Sequence, residues 1–437
     1  MKASKLASIT HSQSRYYLSA FSALSHSNFR LYFIGQLVSV SGTWMQTVAQ
    51  GWLVFQLTRS ELWLGIVACA AGLPSLLVSP FAGVLVERMP RRSILIVTQT
   101  VQMLLAFALA FLTFSHLVQV WHVVLLAFIL GITNAFDAPA RQTFVKDMVG
   151  PEDLASGISL NSLMFNTARV FGPTAAGIAL ATVGAAWCFF LNGASFLAVI
   201  VSLILMTIPS VKRRVVNVSP LQQLLDGLRF ARRHDTIKPL LLLSAVISIF
   251  AVNVVTLLPA FAATVLNSPV EGYSVLSTAQ GIGAVSAGLI VFFVSRFGRG
   301  RVISATFLLL ITSVLIVSRM TLILPAAVFM GVYGFSLILT FVTMNTMIQT
   351  ELPDEYRGRV LSLYTLTFFG LAPFGALVLG ELATLMGTPD ALALYGILNA
   401  VLGLAILARW PALWQNRRNT VGDQLPALSQ EVELVAK

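Results

Sequence analysis

The sequence has 437 residues, of which 57% are hydrophobic and only 10% are charged. A soluble globular domain carries about 25% charged residues and could not bury this much apolar surface. The formal net charge is +11, but the basic residues fall in short segments between apolar runs and form no single patch, which argues against a nucleic-acid partner. The composition therefore indicates an integral membrane protein.

The apolar runs, such as 93–114 and 302–317, are long and show no alternation. An α-helix of about 20 apolar residues crosses a hydrocarbon core, whereas barrel strands alternate over about 10 residues. The pattern predicts an all-α polytopic membrane protein with about twelve transmembrane helices. The predicted spans 1 to 12, in chain order, are 30–57, 62–86, 93–115, 120–138, 155–182, 185–208, 239–266, 273–295, 302–318, 322–349, 357–384 and 389–410.

Polar segments divide these spans into two sets of six. The predicted parts are a tail (1–29), a first six-helix bundle (30–208), a linker (209–238), a second six-helix bundle (239–410) and a second tail (411–437). The first 28 residues lack acidic side chains, as in a transit peptide, although a short cytoplasmic tail is the interpretation we favour. In the linker, Leu221, Leu224, Leu225 and Leu228 recur at helical spacing beside basic residues. This pattern is typical of an amphipathic helix at a membrane surface.

The distribution of basic residues predicts the orientation. If the N-terminus is cytoplasmic, only Arg59 and Arg319 among the 28 Lys and Arg residues lie in outside loops, and Arg169 lies within a span. Short cytoplasmic loops carry an excess of Lys and Arg, and the reversed topology would invert the distribution. We therefore expect both termini to be cytoplasmic.

Two short patterns recur about 200 residues apart. The segment 88–92 (RMPRR) follows span 2, and 296–301 (RFGRGR) follows span 8. The segment 151–153 (PED) precedes span 5, and 353–355 (PDE) precedes span 11. Because both pairs occupy equivalent places in a six-helix unit, they indicate duplicated halves, as in transporters built from parallel repeats.

The loop after span 2 carries the most specific pattern, Gly83-Val-Leu-Val-Glu87-Arg88-Met-Pro90-Arg91-Arg92. It resembles the cytoplasmic-loop signature of the major facilitator superfamily, G-x-x-x-D-R-x-G-R-R, with Glu87 in place of Asp and Pro90 in place of Gly. The resemblance implies a fold of two pseudo-symmetric six-helix bundles, transport by alternating access and a charge network at an inner gate. The implied gate residues are Gly83, Glu87, Arg88, Arg91, Arg92 and Arg141.

A second motif lies in span 5, as Arg169-Val-Phe-Gly172-Pro173-Thr-Ala-Ala-Gly177. It resembles the Gly-Pro signature of drug:proton antiporter families, where this element is linked to export, although Ala replaces one Gly. Proline frees a backbone carbonyl and glycine permits close helix packing, so an ordinary kinked packing helix is the alternative. With the segment 137–142, the motif is similar to a branch of bacterial enterobactin-exporter-like and macrolide-efflux-like proteins, which implies a bacterial inner membrane.

Ionisable residues at membrane depth are few and costly, which makes them functional candidates. Asp137, Arg169 and Glu381 are the candidates for coupling or substrate binding, with structural pairing as the alternative. Arg141 lies one turn after Asp137 and has that residue or Glu87 as its possible partner. Because no G-x-x-x-x-G-K-[ST] pattern occurs, we expect an ion gradient, with protons as the coupling ion, to drive transport.

Span 1 carries polar residues on one helical face, which favours contact with water or substrate over contact with lipid. By the family resemblance, spans 1, 4, 7 and 10 line the cavity. The candidate lining residues are Gln36, Ser39, Thr43, Gln46, Gln50, Asn134, Asn253, Thr256, Thr340 and Asn345. Hydrogen bonding between helices is the alternative, and we prefer it for the single Asn and Thr residues.

These features predict a secondary transporter, most simply a proton-coupled exporter of a hydrophobic or amphiphilic molecule such as a siderophore or a drug. An importer or uniporter of the same superfamily is the alternative. A lipid-modifying enzyme is disfavoured, because the five histidines lie in predicted tails or loops. We expect a monomer with a bilayer, a small molecule and protons as partners, and without catalytic residues, cofactor or metal.

Overall fold

The computed structural model describes residues 21–207, 220–294, 297–352 and 354–411, and within them the chain is helical without any strand. The helices of spans 1 to 6 are Ser27–Thr58, Glu61–Arg88, Arg91–Phe114, Val120–Val149, Leu154–Thr182 and Ala185–Leu205. A linker helix, Pro220–Arg233, follows. Spans 7 to 12 are Ile237–Thr264, Pro269–Val294, Arg299–Val317, Ile323–Glu351, the pair Asp354–Gly370 and Ala372–Met386, and Thr388–Arg409.

Ten of these segments are long and apolar enough to cross a membrane by length and composition. Spans 1 and 5 fall outside that group although they are 32 and 29 residues long. Polar side chains such as Gln36, Gln46 and Asn166 lower their hydropathy. The two least apolar spans are therefore the ones that carry the polar stripe and the Gly-Pro motif.

Span 4 differs from its predicted bounds, because the helix continues from 138 to Val149. Pro139 lies inside this helix, and the polar residues after it suggested a loop. The extension is stabilised by Phe144, which is 1% exposed and packs edge-on against Tyr32 at a ring distance of 6.0 Å. Asp137 therefore lies well inside a 30-residue helix and not near its end, where the predicted span had placed it.

The two halves meet along two pairs of helices, span 2 with span 11 and span 5 with span 8. Glycines bring the backbones together at both seams. A Cβ atom on Gly65 would lie 2.5 Å from the carbonyl oxygen of Ala376, and one on Gly281 would lie 2.6 Å from that of Arg169. Any larger side chain at these positions would separate the halves.

The seams are tight at one end of the bundle and loose at the other. At the end that holds the 59–60 turn, a Cβ on Gly380 would lie 2.7 Å from the Glu61 carbonyl oxygen. Gly83 lies five helical turns after Gly65 on the same face of span 2, yet a Cβ there would meet nothing within 4 Å. Gly358 on span 11 is equally open. The seam between spans 2 and 11 is thus closed at the 59–60 end and open at the 89–90 end, which we call the open end of the bundle.

Spans 7 and 11 are both interrupted in the region where they pack on each other. Span 7 consists of Ile237–Phe250, the 3₁₀ segment Val252–Leu257 and Leu258–Thr264. The Tyr333 hydroxyl donates to the Ala251 carbonyl at 2.9 Å, and Asn253 Nδ2 donates to the Ser248 carbonyl at 3.0 Å. Side chains therefore satisfy the backbone groups that the break releases, as the scarcity of water in a bilayer requires.

The linker helix is attached to the second half of the molecule. The Phe230 ring stacks on Tyr356 of span 11 with 4.4 Å between centroids, and Asp226 forms ion pairs with Arg229 (3.2 Å) and Arg359 (3.9 Å). The side chains of Leu221 and Leu224, part of its predicted apolar stripe, lie outside the described residues. A link between the halves thus docks beside span 11 at the open end.

Candidate transport site

Asp137 of span 4 is 1% exposed and is the single charged side chain that is fully buried among the described residues. Its Oδ1 accepts hydrogen bonds from Thr98 Oγ1 at 2.9 Å and from Gln99 Nε2 at 2.8 Å, both on span 3. Its Oδ2 lies 3.0 Å from Arg141 Nη2, one turn along span 4. Burial of a carboxylate requires such donors, because desolvation of an unpaired charge is very costly.

Span 1 closes this cluster with Tyr32 and Gln36, each 1% exposed. The hydroxyl of Tyr32 and the amide oxygens of Gln36 and Gln99 are buried and have no hydrogen-bond partner among the described residues. Most buried polar atoms in proteins are hydrogen-bonded, so three unpaired ones on spans 1 and 3 make this region a candidate functional site. The cluster has spare hydrogen-bonding capacity for a change in protonation at Asp137.

A cavity of about 50 Å³ lies between spans 1, 3, 4 and 6. This volume suffices for about three to five water molecules at 10–15 Å³ each. Its polar lining residues are Thr43, Gln46, Gln50, Gln102, Asn134 and Asn192. Asn192 Nδ2 donates to Gln46 Oε1 at 2.7 Å, and Gln102 Nε2 donates to Asn134 Oδ1 at 3.2 Å. Since Asn134 is one helical turn before Asp137, polar groups continue from the cavity to the buried carboxylate.

Arg169 of span 5 forms a different kind of site. Its guanidinium carbon lies 5.1 Å from the centre of the Trp44 ring, and its Nε is buried without a hydrogen-bond partner. No described residue forms an ion pair with it. Arg141 lies over Phe165 at 4.9 Å, so two guanidinium groups contact aromatic rings along spans 1 and 5. One of these cations has a carboxylate partner and the other has none.

The Gly-Pro motif lies where span 5 crosses spans 1 and 8. A Cβ on Gly172 would overlap the Trp44 side chain, and one on Gly177 would overlap Ser274 of span 8. Ser274 Oγ donates to the Pro173 carbonyl at 3.0 Å. The motif therefore permits close packing of span 5 on both halves of the molecule.

The basic loop of the superfamily signature also has defined partners. Arg91 Nη1 lies 2.7 Å from Asp147 Oδ1 at the end of span 4, and Arg92 donates to the carbonyls of Leu203 and Ile204 at 2.6 and 2.7 Å. A cation at those carbonyls suits the negative end of the span 6 dipole. These contacts link the start of span 3 to the ends of spans 4 and 6.

The structure describes two further residues of the implied inner gate but not the side chain of a third. Arg88 is exposed and Gly83 is half-buried, while the side chain of Glu87 lies outside the described residues. Of the two partners considered for Arg141, the structure has the contact with Asp137. Asp147 was missed, because span 4 was expected to end at 138.

The remaining candidates separate into buried and accessible groups. Gln36, Ser39, Asn253 and Thr340 are buried inside the halves, Thr256 and Asn345 are half-buried, and Thr43, Gln46, Gln50 and Asn134 line the 50 Å³ cavity. Thr340 bonds Thr306 of span 9 at 2.7 Å, and Glu381 is exposed. The polar stripe of span 1 thus faces the interior of the first half.

Span 3 supplied site residues that sequence reasoning missed. Thr98, Gln99 and Gln102 lie within one turn and a half of an otherwise apolar helix, and all three are buried. Two adjacent polar residues followed by a third at helical spacing were the available signal, because polar side chains in a bilayer require partners.

Solved transporter structures share this arrangement of helices. The nucleoside transporter NupG matches with a TM-score of 0.69 at 12% identity, over 90% of this chain and 100% of that chain. The D-xylose-proton symporter matches with a TM-score of 0.66 at 13% identity, over 86% of this chain and 97% of that chain. The fold is that of major facilitator transporters, and the predicted fold class is confirmed.

Sequence comparison gives the family within this class. A family described as "Transmembrane secretion effector" matches residues 18–433, and the chain belongs to it. Its relatives include the staphyloferrin A transporter of Staphylococcus aureus, which is 23% identical over 84% of this chain and 92% of its own length. The multidrug efflux pump Tap of Mycolicibacterium fortuitum is 26% identical over 80% and 88% of the two chains, respectively. The enterobactin exporter EntS of Escherichia coli O1:K1 is 25% identical over 84% and 88%.

These matches establish the general activity. The protein is a multi-pass membrane transporter of small molecules in the major facilitator superfamily, and it is not an enzyme.

Proposed function

We propose that this transporter is a proton-coupled exporter of hydrophobic or amphiphilic small molecules in the inner membrane of a bacterium. Relatives named as an enterobactin exporter and a multidrug efflux pump support the direction and the substrate class. The observation that carries the proposal is the buried Asp137–Arg141 ion pair beside a polar cavity. Each chain contains both halves of the bundle, and we propose that it acts as a monomer.

The proposed orientation places both termini and the linker helix in the cytoplasm. All but three of the 28 Lys and Arg residues then lie at the cytoplasmic side, and the exceptions are Arg59, Arg169 and Arg319. With this orientation the open end of the bundle faces the cytoplasm and the closed end faces outward. The structure then corresponds to the state in which an exporter takes up its substrate from inside.

Asp137 is the proposed proton carrier. When it is ionised, its Oδ2 holds Arg141 by an ion pair at 3.0 Å. Protonation removes the negative charge and weakens that pair, so the guanidinium, which already contacts the Phe165 ring of span 5 at 4.9 Å, is then held by that ring more than by Asp137. Because span 5 forms one seam with span 8, the protonation state of Asp137 is linked to the contact between the halves. Exchange of proton for substrate follows if the two states of the seam open to opposite sides.

Flux measurements in proteoliposomes test this mechanism. With an acidic lumen, purified protein is expected to accumulate radiolabelled enterobactin or ethidium inside the vesicles, and a protonophore is expected to abolish the accumulation. Asp137→Asn is expected to lose the gradient-driven accumulation while it retains exchange of internal for external probe. Ser313→Ala, which removes a buried hydroxyl of the other half outside the candidate lining residues, is the matched control and keeps both activities.

Three results would contradict the proposal. The first is the absence of gradient-driven flux for both probes with wild-type protein. The second is full gradient-driven flux in Asp137→Asn. The third is movement of the probe in the same direction as the protons, so that vesicles with an acidic exterior accumulate it. That result would indicate the alternative of an importer.

A further inference from the structure

Arg169 carries a positive charge near the middle of the bundle and has no counter-ion among the described residues. It lies about 15 residues, or about 22 Å, into a helix of 29 residues. Among the described residues, the spans that pack on span 5 offer no free acid at this depth. Spans 1 and 6 contain no Asp or Glu, and Asp137 and Asp147 of span 4 are paired with Arg141 and Arg91. Glu271 lies in the first turn of span 8, about three turns before Gly281, which packs against Arg169.

An apolar aromatic surface lies beside this cation. Phe33, Leu37 and Trp44 share one face of span 1, and together with Phe165 of span 5 they pack around Val40, Met164 and Ala168. All four are half-buried, so each retains an accessible part. We call this set the aromatic face. Its ends are occupied by two guanidinium groups, Arg141 over Phe165 and Arg169 over Trp44.

The two cations at these ends are not equivalent. Arg141 is neutralised by Asp137 at 3.0 Å, whereas Arg169 is held by the Trp44 ring alone. A guanidinium that lies over an aromatic ring still presents N–H groups at its edge, and these fit the two oxygens of a carboxylate. An uncompensated charge at membrane depth is costly, and residues of this kind usually serve a ligand or an ion pathway.

We propose that Arg169 binds the carboxylate of an anionic amphiphilic substrate whose ring or hydrocarbon body lies on the aromatic face. This inference rests on the proposed export function and specifies its substrate class. The carboxylate completes the missing ion pair of Arg169, and the apolar body covers Trp44, Phe33, Leu37 and Phe165. A lipid head group is a poor occupant, because phospholipid head groups lie about 15 Å from the bilayer midplane where Arg169 is situated.

The decisive experiment compares three probes that differ only in their head group. They are 1-pyrenebutyrate, 1-pyrenebutanol and 1-pyrenebutylamine, and their binding to the full-length protein in nanodiscs is followed by pyrene fluorescence. Charge-assisted hydrogen bonds predict that the carboxylate binds at least about tenfold more tightly than the alcohol, and that the amine binds most weakly. Equal affinity for all three probes would overturn the proposal without any variant.

Variants then assign the preference to Arg169. Arg169→Gln is expected to lower the affinity for pyrenebutyrate to that for pyrenebutanol and to leave the alcohol unchanged. Arg169→Lys keeps the charge and is expected to retain part of the preference. Arg319→Gln removes an exposed arginine, 62% accessible and paired with Asp390, and is the matched control with wild-type binding. Loss of affinity for acid and alcohol alike in Arg169→Gln would show a structural role and overturn the proposal.

The measurement is independent of proton coupling. Binding at equilibrium needs no gradient, so a head-group preference that survives in Asp137→Asn would stand even if gradient-driven flux were absent. Gradient-driven flux together with equal binding of the three probes would overturn the role of Arg169 but not the proposed export function. Size-exclusion elution and thermal unfolding test whether Arg169→Gln is folded. If it is not, the comparison of the three probes on wild-type protein still tests the proposal.

Discussion

Each half of the molecule has an arginine at the start of its third span, and the two arginines have different partners. In the first half, Arg91 at the start of span 3 contacts Asp147 at the end of span 4 at 2.7 Å. In the second half, Arg299 at the start of span 9 contacts Thr350 at the end of span 10 at 2.8 Å. The repeat in sequence therefore corresponds to a repeat in contacts, but an acid in one half is a hydroxyl in the other.

The same difference occurs deeper in the bundle. Between spans 3 and 4, Thr98 donates to Asp137, whereas between spans 9 and 10, Thr306 bonds Thr340. The second half instead contains the interrupted spans 7 and 11, whose freed carbonyls are bonded by Tyr333 and other side chains. Among the described residues, the fully buried charge lies in the first half and the interrupted spans lie in the second, so the two halves differ in how they satisfy buried polar groups.

The largest expected effect comes from removal of the acid at Asp137. Asp137→Leu leaves Arg141 in the interior without its partner, and since Arg141 is 21% exposed we expect a loss of about 2–3 kcal/mol in the free energy of unfolding. Thr340→Val, at the equivalent interface of the second half, removes one neutral hydrogen bond and should cost about 1 kcal/mol. Unfolding by SDS titration in detergent micelles measures both.

A double substitution sharpens this comparison. Asp137→Leu combined with Arg141→Met removes both charges. The double variant should be more stable than the sum of the two single losses predicts, because it leaves no buried charge without its partner. Strictly additive losses would mean that the ion pair contributes nothing at this site.

The next effect concerns the repeated pair at the ends of spans 4 and 10. Asp147→Thr makes the first half resemble the second and should cost about 1–2 kcal/mol, because the Arg91 and Asp147 side chains are only 19% and 15% exposed. Thr350→Asp makes the reciprocal change and should stabilise the second half by less than about 1 kcal/mol, because position 350 is exposed. Melting temperatures at low and high salt measure both, and high salt should reduce the gain. A destabilised Thr350→Asp would show that the halves are not interchangeable here.

The helix break in span 7 should respond to a single hydroxyl. Tyr333→Phe removes the hydrogen bond to the Ala251 carbonyl and should cost about 1 kcal/mol, with faster hydrogen exchange in segment 251–257. Tyr273→Phe, a buried tyrosine of span 8, is the control for loss of a hydroxyl. Unchanged exchange in the segment would mean that Asn253 alone maintains the break.

The sequence predicted the helical architecture well because a bilayer imposes strong limits on length and polarity. Long apolar runs gave the spans, and the clear exception is span 4, where a packed helix continues past the membrane-like segment to Val149. The breaks in spans 7 and 11 were not predictable from proline. Pro259 and Pro373 accompany breaks, whereas Pro139 and Pro173 lie inside continuous helices. Neighbouring side chains decide the outcome.

The site was predictable only where its residues are close in sequence. Asp137 and Arg141 are one helical turn apart, so their contact could be considered in advance. Thr98 and Gln99 bond Asp137 on another helix, and Arg92 bonds the end of span 6. The register of these contacts depends on helix packing that one sequence does not reveal. The sequence identified the polar stripe of span 1. Which helices the stripe contacts could be known only from the arrangement of spans 3, 4 and 6.

The smallest effect concerns a contact in the first half, before span 5. His26 Nε2 lies 2.7 Å from Asp153 Oδ2, and hydrogen bonds from Ser22 and then from His26 hold the pKa of Asp153 below its usual value. A lowered carboxyl pKa stabilises the folded state above the unfolded pKa of about 3.9, and this contribution is lost as the pH falls through the folded pKa. Asp153→Asn should therefore be slightly less stable than wild type at pH 6, and the difference should shrink as the pH falls below about 3.9. Hydrogen exchange of segment 22–26 between pH 6 and more acidic solutions measures the difference, and a variant that differs from wild type equally throughout this range would refute the contribution of the charge.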